Sequence, residues 1–177
     1  MPAWKMQKSA CQERFRALVE QHQGIVFKIV NTYCFVAEDR RDLAQEIAVQ
    51  LWRAFPKYDG QRSFSTWMYR IALNVAISQV RTTIHRGRYV VPLDEDLHDR
   101  PEDGLDAGVR EDRIRALHAF ITAQNDLDRA LLLLYLDEHP HQEIADILGI
   151  SASNVGTRIG RLKQRMREAL RIPEHYS

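Results

Sequence analysis

Cysteine is almost missing from this chain: Cys11 and Cys34 are the only two in 177 residues. Both fall inside apolar helical patterns and make no disulfide framework, which points to a reducing compartment. Glycine and proline are scarce, at eight and six, so a fold of many tight turns is excluded. No apolar run approaches the length of a membrane span, and the amino-terminal stretch lacks a signal-peptide core. A cytoplasmic protein without membrane insertion is expected. A phosphate-binding glycine loop, a G-x-S-x-G elbow and a paired-carboxylate motif are lacking too. His139 and His141 flank Pro140 with no Cys or carboxylate evident at ligand spacing, and Asp94-Glu95-Asp96 lacks EF-hand spacing. The expectation is a non-enzyme with no metal and no cofactor.

What remains is rich in Leu, Ala, Arg, Glu and Gln, with 45% apolar residues, a composition suited to helices. The net charge of +1 conceals a serial arrangement. Residues 1–92 hold 14 basic and 7 acidic side chains, residues 93–112 hold 2 and 9, and residues 113–177 hold 9 and 8. A uniform nucleic-acid binder would not be built this way. The fold expected is all-α: two small helical domains, 1–90 and 113–177, joined by a flexible acidic linker, 91–112. The linker contains Pro92, Pro101, Gly104 and Gly108 and has no sustained periodicity.

In the first domain a helical pattern runs from Glu13 to Tyr33, with His22 filling one place in its apolar stripe as a core or boundary residue. A second, from Asp39 to Phe55, repeats Leu43, Ile47, Leu51 and Phe55 at intervals of four and ends before Pro56. Asp59-Gly60 signals a turn. A third begins near Ser63 or Ser65 and runs to Arg81. Its inner face reads as Phe64, Trp67, Met68, Ile71, Ala72 and Val75, and its outer stripe as Arg70, Asn74, Ile77 and Arg81. In the second domain Leu127–His139 is apolar nearly all round, hence central. Gln142–Leu148, Gly149, Ser151 and a final helix then read as a helix-turn-helix. Val155, Ile159, Leu162 and Met166 make that helix's buried stripe. Asn154, Thr157, Arg158, Arg161 and Arg165 lie away from it, where Arg can pair with guanine and Asn with adenine. Lys163 and Arg167 are candidates for phosphates. Gly156 and Gly160, one turn apart, weaken this helix and suggest close backbone approach by DNA or protein.

Two stretches, DRRDLAQEIAVQLWRAFPKYDGQRSFSTWMYRIALNVAISQVR (39–81) and LDRALLLLYLDEHPHQEIADILGISASNVGTRIGRLKQRMREAL (127–170), resemble the second and fourth regions of bacterial RNA polymerase sigma factors of the extracytoplasmic-function (ECF) group. The resemblance covers both domains in order. It implies a transcription initiation factor that binds core RNA polymerase and promoter DNA. Asp39, Asp42, Gln45 and Glu46 would grip the β′ clamp helices, and part of Leu131–Leu136 would face the β flap. Phe64, Trp67, Arg70, Asn74 and Arg81 would melt and read the minus-ten element. Ser153, Asn154, Thr157, Arg158, Arg161 and Lys163 would serve the minus-thirty-five element. The acidic linker would thread the polymerase interior. Many relatives are held by an anti-sigma factor, which is therefore a candidate partner. Departures are visible: the family often has Asp-Ala-Glu-Asp where this chain has Asp39-Arg40-Arg41-Asp42, and often a lysine at Gly156. The competing reading is a self-sufficient helix-turn-helix regulator that binds a palindromic duplex as a dimer.

Overall fold

Two compact units divide the chain, Met1–Tyr89 and Val90–Ser177. The computed structural model describes residues 3–85 and 105–170, with side chains described over 10–82 and 112–170. The described residues form eight α-helices and one 3₁₀ turn, and no strand. The acidic stretch expected to be a linker lies outside the described residues as far as 104. Its last part does not behave as expected: a helix begins at Leu105. The sequence of 105–112 carries no apolar stripe by which to recognise a helix.

The first unit consists of α1 (Ala3–Gln21), α2 (Gln23–Tyr33), α3 (Ala37–Ala54), a 3₁₀ turn (Phe55–Lys57) and α4 (Phe64–His85). The pattern read as one helix from Glu13 to Tyr33 is two, broken at His22. The His22 Nδ1 lies 2.8 Å from the Leu18 carbonyl and donates to it. The side chain thus takes the acceptor that the His22 backbone N–H would use in an unbroken helix, and that N–H turns to Val19 O at 3.1 Å. The half-buried His22 ring packs against Phe64, 5.4 Å between centroids, which agrees with a boundary histidine.

Helices α2, α3 and α4 pack on one another. The four-residue repeat of α3 delivers Leu43, Ile47, Leu51 and Phe55 to the core, all buried. Each such side chain contributes about 1.5–3 kcal/mol by leaving water. Arg40 straps the corner between α2 and α3, with Nη1 donating to Asn31 Oδ1 at 2.8 Å and Nη2 to the Phe35 carbonyl at 3.1 Å. Ser63 caps α4, its Oγ accepting from the Thr66 N–H at 3.2 Å. The buried arc of α4 is rotated from the one expected. Tyr69, Leu73, Ala76 and Val80 join Phe64, Met68 and Ala72 in the core, whereas Trp67, Ile71 and Val75 are half-buried at its edge. Two neighbours, α2 and α3, cover this helix, so the buried arc is wider than one apolar stripe suggests.

The second unit holds α5 (Leu105–Thr122), α6 (Asp126–Leu136), α7 (His141–Leu148) and α8 (Ala152–Ala169). Central α6 is capped by Asn125, whose Oδ1 accepts from the Asp128 N–H at 3.0 Å. Arg129 is buried and caps the preceding helix instead of facing solvent: its Nη2 donates to the carbonyls of Thr122 (2.6 Å) and Gln124 (3.2 Å). These are end-of-helix acceptors that α5 itself cannot satisfy. Leu131, Leu132, Leu134, Ile144, Val155, Ile159 and Leu162 fill the core; Met166 is only half-buried. Gly149, at φ +69°, makes the turn between α7 and α8, and Ser151 caps α8 by accepting from the Asn154 N–H at 3.1 Å. Before α7 the chain passes through Glu138 at φ +62°, a conformation in which a side chain is strained.

Candidate nucleic-acid interface

Beginning with the second unit, the three-residue turn sets α8 against α6 and α7 through Val155, Ile159 and Leu162. Helical arithmetic then turns Ser153, Asn154, Thr157, Arg161 and Arg165 away from the core, and all five are exposed. They form the polar and basic face that a major-groove reader needs. Two residues expected on that face are placed differently. Lys163 lies on the opposite side of the helix, its Nζ 5.5 Å from the centroid of the Tyr135 ring on α6. There it gains a cation–π contact, apart from the exposed polar face. Arg158 does border the face, but its guanidinium is engaged. Nη1 donates to Asp128 Oδ1 at 2.7 Å, and Nε donates to Asn154 Oδ1 at 3.1 Å. Asp128 is itself held by Asn125 Nδ2 at 2.8 Å.

The glycines of α8 also differ from one another. A Cβ on Gly156 would lie 3.7 Å from His141 Nδ1, an ordinary contact, while one on Gly160 would meet nothing within 4 Å. Neither is required by backbone conformation. His139 does have carboxylate neighbours, contrary to expectation: its Nδ1 lies 3.0 Å from Glu143 Oε2 and its Nε2 3.6 Å from Asp137 Oδ2. No group of three potential ligands is gathered for a metal ion among the described residues.

In the first unit, an aromatic cluster closes the junction between α3 and α4. Phe55, Tyr58, Phe64 and Trp67 pack with centroid separations of 5.1 to 6.3 Å. Phe64, expected at the minus-ten strand, is 6% exposed and packs in the core of this cluster. A base could not stack on its ring without unpacking the cluster. The loop after α3 is tied down. Gly60 adopts φ +75°, the Asp59 Oδ1 accepts from the Gln61 N–H at 3.0 Å, and the Tyr58 hydroxyl donates to the Arg62 carbonyl at 2.7 Å. Arg70, Asn74 and Arg81 are exposed along one side of α4.

Between α3 and α4 runs an open groove of about 820 Å³, with Gln50, Ala54, Ile71, Asn74, Val75 and Ser78 among its lining. Glu46 stands at this groove as well, with Gln50 Nε2 donating to its Oε1 at 2.7 Å. The face expected to meet polymerase and the stripe expected to meet the minus-ten strand are therefore adjacent. Asp39, Asp42 and Gln45 are exposed on α3. Val49, 37% exposed, lies among them, as does Arg53. Sequence places Gln50 on the outer face of α3, but nothing in it marks Gln50 or Ser78 as a wall of this cleft.

Two family descriptions match this arrangement: Sigma-70 region 2 over residues 18–84 and Sigma-70, region 4 over residues 125–166. The matched segments together span more than half of the chain. Similarity extends over nearly the full length to the ECF RNA polymerase sigma factor SigW of Bacillus subtilis, 27% identical over 178 residues and 94% of each chain. The chain belongs to the ECF sigma factors. This sigma factor is also similar to the ECF RNA polymerase sigma-E factor of Escherichia coli, at 28% identity over 166 residues, 86% of this chain and 84% of that one. Its fold matches the sigma factor RpoE solved with the anti-sigma factor NepR from Bartonella quintana, with a TM-score of 0.67 at 14% identity over 92% and 98% of the two chains. No helix among the described residues of this sigma factor is long and apolar enough to cross a membrane.

Proposed function

We propose that this sigma factor binds core RNA polymerase, directs it to promoters and helps open them, acting in the cytoplasm without catalysing a reaction itself. The observation that carries the proposal is the presence, in one chain, of two separate binding surfaces suited to two states of DNA. The exposed face of α8 offers Asn154, Thr157, Arg161 and Arg165 to duplex at the minus-thirty-five element, where hydrogen-bond donors read base edges and arginines also hold phosphates. The α3–α4 groove, with Ile71 and Val75 as apolar wall and Asn74 as polar wall, suits one unstacked base of the minus-ten strand. Arg70 and Arg81 beside it attract the backbone of that strand. Half-buried Trp67 and Tyr58 replace Phe64 as the aromatic residues near the melted strand.

Asp39, Asp42, Gln45 and Glu46, with Val49 among them, form the surface for the β′ clamp helices. Leu136, 45% exposed on α6, faces the β flap. An anti-sigma factor that covers these surfaces would hold the protein inactive, a reading supported by the complex in which the Bartonella fold relative was solved. A self-sufficient regulator would have no need of the groove or of the acidic face of α3. The test is transcription from a promoter library by core RNA polymerase with and without this protein. Specific transcripts that depend on both units are expected. Failure to bind core polymerase where a control sigma factor binds would sink the proposal.

A further inference from the structure

The chain Asn125–Asp128–Arg158–Asn154 runs from the cap of α6 to the DNA-reading face of α8. Asp128 is buried, its side chain 12% exposed, whereas Arg158 is 36% exposed. The anionic end is fixed: Asp128 lies in the first turn of α6, held by Asn125 Nδ2 at 2.8 Å. Its Oδ1 receives Arg158 Nη1 at 2.7 Å, across 30 residues of sequence. Arg158 Nε, which can only donate, then fixes the neighbouring carboxamide: Oδ1 of Asn154 must be its partner, at 3.1 Å. The Asn154 amide is thereby oriented with its NH₂ outward.

We infer that Asp128 is a positioning residue that sets the base preference of α8, holding Arg158 off the DNA and turning the Asn154 carboxamide so that its NH₂ leads. This rests on the proposed reading of α8 as the minus-thirty-five contact. An unrestrained asparagine pairs bidentately with adenine, donating to N7 and accepting from N6. With its oxygen drawn back toward Arg158, Asn154 meets a base edge with its NH₂ alone: it can donate to adenine or guanine N7, guanine O6 or thymine O4, but cannot close the bidentate pair that singles out adenine. Arg158, neutralised by a buried carboxylate, releases no phosphate counterion and adds nothing to the salt dependence of binding.

The test uses holoenzyme assembled from core RNA polymerase and the full chain, with promoter fragments randomised across the upstream element and titrated from 50 to 200 mM salt. Asn154→Ala first locates the base pair that Asn154 reads. At that pair, Asp128→Asn is expected to shift selection toward adenine and to steepen log K against log[salt] by about one unit. One phosphate contact, a slope of about 0.9, amounts to about a 3.5-fold greater loss of affinity over the titration, because the released Arg158 reaches a phosphate. Arg158→Ala, which frees the same Asn154 oxygen, is expected to give the adenine shift with an unchanged slope. It also covers the case in which Asp128→Asn fails to fold. The inference is overturned if Arg158→Ala flattens the wild-type slope by about one unit, since Arg158 then already holds phosphate. It is equally overturned if both folded variants keep the wild-type preference, or if Asn154→Ala alters preference nowhere. Failure of the proposed function itself would look different: wild-type holoenzyme would select no upstream element at all.

Discussion

Replacing Gly160 with alanine should make the second unit more stable while leaving the first untouched. Gly160 lies in the interior of α8, at exposed backbone of ordinary helical conformation, and an added Cβ meets nothing within 4 Å. No packing is lost and none is gained, so the effect reduces to helix propensity, about 1 kcal/mol in favour of alanine. For a unit of this size, that raises the unfolding midpoint by about 4–8 °C. The chain supplies its own control, because Trp4, Trp52 and Trp67, its three tryptophans, all lie in the first unit. Tryptophan fluorescence therefore follows the first unit alone, while far-UV circular dichroism follows both. Gly160→Ala should move a component of the dichroism transition upward and leave the fluorescence transition where it was. A second-unit transition that stays put or falls would refute the reasoning, since backbone entropy is the only contribution it invokes. Promoter affinity of the same variant should be unchanged; a loss in a more stable protein would show that a partner approaches the backbone at 160.

Glu138→Gly should also stabilise the second unit, by about 1 kcal/mol, because glycine accepts φ +62° without the strain a side chain brings; chemical denaturation followed by dichroism measures it, and destabilisation would contradict it. Arg161→Ala should weaken minus-thirty-five recognition by about 1–3 kcal/mol if the guanidinium pairs with guanine. Equal losses on specific and random duplex would assign it to phosphate instead. Asn74→Ala should spare binding to closed duplex but impair opening, and undiminished permanganate reactivity at the minus-ten strand would count against the groove.

The strictly periodic parts of the fold were legible in the sequence. The α3 repeat ending at Phe55, the turn at Gly149 and the cap at Ser151 each follow from one local rule, and each stands where expected. Misreadings arose where a side chain acts across the chain. His22 takes a carbonyl from its own helix and breaks it, which an apolar count cannot register. Phe64 reads correctly as an inward residue of α4, but the neighbours that enclose it, from His22 to Trp67, lie too far apart in sequence for a local pattern to reveal. Helical spacing puts Arg158 beside the exposed face of α8, but the partners of Arg158 and Lys163, Asp128 and Tyr135, sit on a different helix and leave no local signal. The start of α5 carried no periodic signal, so its acidic composition was read as a linker.

The strap formed by Arg40 gives the Arg40-Arg41 pair two separate evolutionary fates. Arg40 is committed to Asn31 and the Phe35 carbonyl, and a lysine there could not reproduce a planar fork reaching both acceptors. Arg41, one residue on, is exposed. A substitution at position 41 changes a surface charge on the face proposed for polymerase without disturbing the helix corner. Position 40 has no such latitude. A charge free to vary on the surface is thus separated, by a single peptide bond, from the joint that holds α2 against α3.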